Sequence, residues 1–350
     1  MSLRSWVSSL LGRKTHAETA RARHRGPATH VIILDGTMSS LRDGHETHAG
    51  QLYKLLLEAG VGANLTVYYE PGIQWTDWGA TLDVMQGRGI NRQIIRAYGV
   101  LASRYRAGDE IVLAGYSRGA YAVRSLAGVV DLLGLVKSDC ATERNVQLAY
   151  RHYRRGGRGP AAEAFRKRFG HAKVEIEAVA VWDTVKALGV RLPILWRWSV
   201  VKHEFHNHAL GASVRNGFHA LALDEAREAY APVLWACPPG WTGHMEQVWF
   251  AGTHGDVGGQ LGGFEPARPL SNISLVWMLD RLTACGLPLP DDCTARFATD
   301  PQAPSMGSWR GWSKLFLSRK ARVVGVDPSE RIHESVSVRE GDIPQQAVPN

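Results

Sequence analysis

The sequence predicts a doubly wound α/β fold built on a mostly parallel sheet. Four short apolar runs, HVIILD, EIVLAGYS, VEIEAVAVWD and EQVWFAGTH, are near-continuous in small and branched apolar residues rather than alternating. That is the pattern of strands covered on both faces. Segments with helical spacing alternate with the earlier runs. Each run also ends on a residue able to do chemistry, Asp35, Ser117, Asp183 and His254, at the strand end where the loops of such a sheet converge.

In chain order, residues 1–27 form a basic tail with six basic residues and one acidic one. The α/β domain is expected over 28–326. HVIILD is its first strand, followed by QLYKLLLEAG, a helical pattern stopped at Gly60. LTVYY reads as a further strand, and INRQIIRAYGVLASRYRAG as a helix ending at Gly108. After EIVLAGY, the segment AYAVRSLAGVVDLLGL sets Val123, Leu126, Ala127, Val130 and Leu133 on one helical face. Between VEIEAVAVWD and EQVWFAGTH the strand rhythm lapses: LPILWRW, KHEFHNH and a helix through ALALDEAREAY are expected to form a cap or lid insertion over about 186–235. Residues 327–350 read as a polar tail.

A chain of 350 residues, 45% hydrophobic, can bury a full core, so disordered and fibrous classes are excluded. The formal charge of +8 is unevenly placed: residues 1–27 and 141–170 carry more than all of it, and the remainder is mildly acidic. Two separate basic segments do not make a continuous nucleic-acid groove, so none is expected. Contact with an anionic lipid surface or a polyanionic partner stays open for them, beside a plain solvated face. Cys140, Cys237, Cys285 and Cys293 are scattered without a CxxC pair, which argues against a disulfide framework or zinc knuckle and for a reducing compartment. MSLRSWVSSLLGRK lacks the unbroken apolar core and cleavage site of a signal peptide, and no window is apolar enough to span a bilayer. Synthesis in the cytoplasm is expected, with peripheral membrane contact or export by a dedicated secretion system left open.

GYSRG, residues 115–119, fits the G-x-S-x-G nucleophile elbow, and it has the confirming context of a strand before it and an amphipathic helix after it. Gly115 and Gly119 give the clearance that a sharp strand-to-helix turn requires. A serine hydroxyl needs a base to take its proton and a third group to hold the base. In the α/β-hydrolase fold, which this context predicts, the three follow in the order Ser, acid, His. Ser117, Asp183 and His254 occur in that order at strand ends. Asp183 competes with Asp256 and Asp224 as the acid and could instead cap a helix; His254 competes with His219 and His333. Two backbone N–H groups must meet the developing oxyanion. Arg118 is expected to supply one, and Gly36 or Thr37 the other, with Asp35 bracing their loop.

Together, the words LDGT, GRGINRQIIRAYGVLASRY, GDEIVLAGYSRGAYAVRSLAG, VAVWDTVKALG, HALALDEAR, QVWFAGTHGDVGG and LSNISLVWML, over about residues 30–283, resemble the bacterial and fungal α/β-hydrolases of a domain-of-unknown-function family. That family includes the catalytic domain of type VI secretion phospholipase effectors. The resemblance implies Ser117 as nucleophile, Asp183 as acid, His254 as base, and esterase or phospholipase chemistry. The stretch EPGIQWTDWGATLDVMQ is individual to this chain.

His203, His206 and His208 fit no zinc spacing, GTHGDVGG lacks the acidic partner of a dinucleotide fingerprint, and no phosphate loop is present, so neither metal nor cofactor is expected. The expected function is a serine carboxylester hydrolase acting on lipid or phospholipid esters. The alternatives are a thioesterase or small-ester esterase on the same scaffold, or a non-catalytic interaction module. SWRGWSKLFLSRKAR, residues 308–322, interleaves Trp309, Trp312, Leu315, Phe316 and Leu317 with Arg310, Lys314, Arg319, Lys320 and Arg322. It is expected either to meet a bilayer or to pack its aromatics on the body with its cations solvated.

Overall fold

The computed structural model describes residues 16–19, 26–60, 64–72, 88–185, 209–237, 240–309 and 318–339. Most of the 1–27 segment, His203, His206 and His208, and Trp312 with Leu315, Phe316 and Leu317 lie outside these residues.

Eight strands form one sheet: β1 (His16–Thr19), β2 (Thr29–Leu34), β3 (Leu65–Glu70), β4 (Glu110–Tyr116), β5 (Ile176–Trp182), β6 (Val214–Ala222), β7 (His244–Phe250) and β8 (Glu330–Ile332). Their order is β1-β3-β2-β4-β5-β6-β7-β8. All neighbours are parallel except β1, which runs antiparallel to β3. The chain moves from β2 outward to β3 and then returns to the other side of β2 for β4. The strand order thus reverses beside β2, and ligands of such sheets settle at the carboxyl ends next to that reversal.

The central strands are apolar on both faces because both faces are covered. Val31 and Ile33 of β2 share a core with Leu52 and Leu56 of α1 (His48–Ala59) and Leu275 and Leu279 of α2 (Arg268–Ala284). The alternate residues Ile32 and Leu34 pack with Ile94 and Leu101 of α3 (Arg88–Arg104) and Val123 and Leu126 of α4 (Ser117–Leu133). Trp182 is fully buried, its indole N–H donating to the Ser274 carbonyl at 3.4 Å. Register then sets the chemistry: Leu34 pairs Gly115, Tyr116 pairs Trp182, Trp182 pairs Ala220, and Ala222 pairs Phe250, so the residues that follow these strands lie side by side.

Four expectations change. Of the segment ALALDEAREAY, read as a helix inside a cap, residues 220–222 are the end of strand β6, hydrogen-bonded to β5 and β7 on its two sides, and the rest is loop with a 3-10 turn at Glu228–Tyr230. The remainder of the expected cap, residues 186–208, lies outside the described residues. Within the segment read as a polar tail, residues 330–339 belong to the fold, since β8 extends the sheet and the helix α5 (Glu334–Arg339) buries Val336. Within the basic first segment, His16–Thr19 is a sheet strand. The helix expected to run to Gly108 ends at Arg104, and Gly108 itself has φ +94°.

The basic segment 141–170 forms α6 (Glu143–Arg154) and α7 (Pro160–Phe169). Val146, Ala149, Tyr153 and Phe165 face the core, while every Arg and Lys of the segment is exposed. Among the described residues, no helix is long and apolar enough to cross a membrane.

Candidate active site

Ser117 follows β4 directly and opens α4 with φ +58°, a left-handed conformation that costs a non-glycine residue free energy. The flanking glycines make the turn physically accessible. A Cβ on Gly119 would lie 2.0 Å from the Leu34 carbonyl oxygen, and one on Gly115 would lie 2.8 Å from the same atom.

His254 opens α8 (His254–Gly258) beyond β7. Its Nε2 is 2.9 Å from Ser117 Oγ, and its Nδ1 is 2.6 Å from Asp183 Oδ2. Asp183, just past β5, is also left-handed at φ +39° and fully buried. Its amide donates to the Ala220 carbonyl at 2.7 Å, which ties the turn to β6. The structure thus joins Ser117, His254 and Asp183 in one hydrogen-bonded chain.

The rival groups have other partners. Asp256 accepts from Thr253 N, Thr253 Oγ1, Ser305 Oγ and Met306 N at 2.6–2.8 Å, and so seats the loop that carries His254. Asp224 accepts the Gly252 amide at 2.5 Å. His219 is buried beneath Asp183 and accepts the Thr184 amide on Nε2 at 3.1 Å; burial pushes its pKa down to about 3 and keeps it neutral. His333 stacks on Phe250 and contacts Ser335.

His254 is held between two tyrosines. The Tyr116 ring stacks on it at 4.8 Å between centroids, and the Tyr230 ring meets it edge-on at 4.8 Å. Its own amide donates to Glu225 Oε2 at 3.2 Å, and Glu225 pairs with the buried Arg227. Burial lowers the imidazole pKa below its ordinary 6.5, and the Asp183 carboxylate offsets this only in part. For Asp183, burial alone would raise the pKa, but the Arg322 charge and the hydrogen bonds from His254 and Arg322 outweigh it and hold the carboxyl well below the usual range. Such a chain can pass a serine proton to a neutral imidazole and stabilise the imidazolium that results.

Asp35 braces the loop after β2. It accepts from Thr47 Oγ1, the Tyr69 hydroxyl and the Gly36 amide, each at 2.6 Å. Burial nonetheless raises its pKa above the ordinary carboxylate value, against the lowering effect of these bonds. The Gly36 amide is therefore committed to Asp35, which corrects its expected role as an oxyanion donor. Thr37 is fixed beside it: its carbonyl accepts from Gln260 Nε2 at 2.9 Å and its hydroxyl from the Arg118 guanidinium.

Sequence reasoning missed Arg322, which forks both Asp183 oxygens, as well as Tyr116, Glu225, Arg227 and Tyr230. Glu225 and Arg227 lay within the word HALALDEAR but were read as helix, and nothing local to Arg322 marks it. Expected as a surface cation, it is buried. Arg319 stacks on Trp309 at 3.7 Å and bonds Ser308, so it too is engaged with the body.

A parallel sheet with helices on both faces, a serine on a left-handed elbow, and an aspartate and a histidine at later strand ends define an α/β-hydrolase. Residues 29–281 match the family model described as the catalytic domain of Tle1-like type VI secretion phospholipase effectors, and the chain belongs to that family. An uncharacterised protein of Saccharomyces cerevisiae is 27% identical over 239 residues, which cover 60% of this chain and 33% of the yeast protein, so the chain spans about a third of that relative. Among solved structures, a Tle1 effector bound to the VgrG spike of a type VI secretion system aligns with TM-score 0.33 and 17% identity, over 70% of this chain and 57% of the effector. Esterase 2 of Thermogutta terrifontis aligns with TM-score 0.37 and 13% identity, over 80% and 92% of the two chains. Acyl-protein thioesterase 2 of Zea mays aligns with TM-score 0.31 and 10% identity, over 69% and 91%.

Proposed function

We propose that this protein is a serine carboxylester hydrolase in which Ser117 is the nucleophile, His254 the general base and Asp183 the acid that holds the base, and that its substrates are lipid esters, phospholipids among them. The observation that carries the reading is the unbroken path from Ser117 Oγ through the imidazole to Asp183, with contacts of 2.9 and 2.6 Å. His254 Nε2 takes the serine proton as Oγ attacks the acyl carbon, and the imidazolium then protonates the departing alcohol. Water repeats the cycle on the acyl-enzyme and frees the fatty acid. The Thr37 and Arg118 amides are the proposed donors to the oxyanion. Family membership supports the lipid substrate class.

The test is labelling by a fluorophosphonate probe, wild type against Ser117→Ala, followed by a panel of phospholipids, neutral lipids, thioesters and short soluble esters. Ser117-dependent labelling with turnover of phospholipid supports the reading. Turnover confined to thioesters or short esters would move the substrate class, and labelling that survives in Ser117→Ala would refute the nucleophile.

A further inference from the structure

We propose that Arg322 is a positioning residue for the reaction, locking Asp183 into the one orientation from which it directs His254 at Ser117. The role rests on the triad reading above. Arg322 Nη1 lies 2.5 Å from Asp183 Oδ1, and Nη2 lies 2.9 Å from Oδ2. The same two nitrogens donate to the Ala222 carbonyl at 2.7 Å and the Tyr230 carbonyl at 2.6 Å. With side-chain exposures of 3% and 0%, the pair has essentially no water to compete for these bonds. A guanidinium tethered at four points cannot swing, and neither can the carboxylate it forks.

The remaining lone pairs of Asp183 are assigned by that fork. Oδ1 also accepts the Ala222 amide at 3.1 Å, so Oδ2 is the oxygen presented to the imidazole. The segment that carries Arg322 is stitched to the chain beyond β6, with Lys320 N donating to the Ala226 carbonyl at 2.7 Å and Glu228 N donating to the Ser318 carbonyl at 3.0 Å. Ala226 and Glu228 flank Arg227, the partner of Glu225, so one strap supports the acid and the cradle of the base together. Arg322 lies beyond the stretch matched by the family model, which ends at residue 281.

The charge of Arg322 acts on Asp183, and it reaches His254 through the carboxylate that the two share. A fixed cation behind the carboxylate opposes protonation of the imidazole, so the base stays neutral to lower pH. The other ionisable groups facing His254 are Glu225 and Arg227, which neutralise one another, and the hydroxyls of Tyr116 and Tyr230; His219 faces Asp183 from β6. Arg322 is thus the cation paired with Asp183, while Arg227 is the cation whose charge acts on His254 directly.

The experiment compares wild type, Arg322→Gln and Arg322→Lys in the full chain, with folding checked by circular dichroism. The readouts are the pH dependence of fluorophosphonate labelling and of kcat/KM on p-nitrophenyl butyrate. Arg322→Gln is expected to slow both on the order of 100-fold, the loss that a misplaced catalytic group brings, and to move the acid limb up by about 1 pH unit, as removal of a neighbouring charge should. Arg322→Lys keeps the charge but not the fork, so its rate should fall while its acid limb stays with wild type. A folded Arg322→Gln with the wild-type acid limb and a rate within about 3-fold overturns the role. If Arg322→Gln does not fold, Arg322→Lys decides: a slowed reaction with an unmoved limb supports positioning, and an unchanged rate overturns it. Failure of wild type to label at all would refute the triad reading itself, and the Arg322 role with it.

Discussion

The Tyr116 ring lies against the imidazole of His254, 29° from parallel, and its hydroxyl donates to the His254 carbonyl 3.1 Å away. The residue before the elbow serine therefore fixes both the ring and the backbone of His254. Tyr116→Phe keeps the stack and loses one hydrogen bond, so it should cost about 1 kcal/mol in urea unfolding and leave fluorophosphonate labelling nearly intact. Tyr116→Ala should lose labelling by far more than Tyr116→Phe, because the imidazole is then free to tilt.

The left-handed backbone of Ser117 predicts a separation of activity from stability. Ser117→Gly should abolish labelling yet raise stability by about 1 kcal/mol, since glycine accepts φ +58° without strain. Ser117→Ala should abolish labelling without that gain. Equal stabilities of the two variants in thermal melts would show that the elbow stores no strain.

Asp183 and Asp256 should fail in different ways. Asp183→Asn should lower the labelling rate by about ten-thousand-fold, because the imidazole loses its orienting acceptor. Asp256→Asn keeps one acceptor oxygen and turns the other into a donor, so either Met306 or Thr253 and Ser305 lose their acceptor, and the melting temperature should fall while the folded fraction still labels. A crippled but fully stable Asp256→Asn would transfer the acid role to Asp256.

Acid should weaken the fold in two windows. Burial pushes His48 and His219 each to about 3, below the unfolded value of 6.5, so the unfolded chain binds more protons and stability falls as pH drops from 6.5 towards 3. Asp183 has a folded pKa below its unfolded 3.8, so its contribution is present above 3.8 and is lost as pH falls below that. Urea titrations from pH 7 to 4 should show the first decline, and His219→Gln should flatten it.

Much of the fold was legible because buried parallel strands announce themselves locally: four or five apolar residues in a row need no knowledge of their partners. The hydrogen-bonded residues at the strand ends were legible for the same reason, since each lies one or a few positions beyond such a run. The misreadings share an opposite cause. The last three residues of β6, Ala220, Leu221 and Ala222, favour helix when read alone, and only the ladders on both sides make them strand. The Gly36 amide looked free because its acceptor is decided by the rotamer of Asp35. Arg322 meets Asp183 across 139 positions, from a stretch whose neighbouring tryptophans and cations read as a surface for lipid.

The placement of Arg322 also sets an order of events during translation. Ser117, Asp183 and His254 are all made before Arg322, the counter-charge paired with Asp183, and β8 pairs with β7 only after that. A chain interrupted before residue 322 would therefore carry Ser117, Asp183 and His254 without the guanidinium that forks the Asp183 carboxylate.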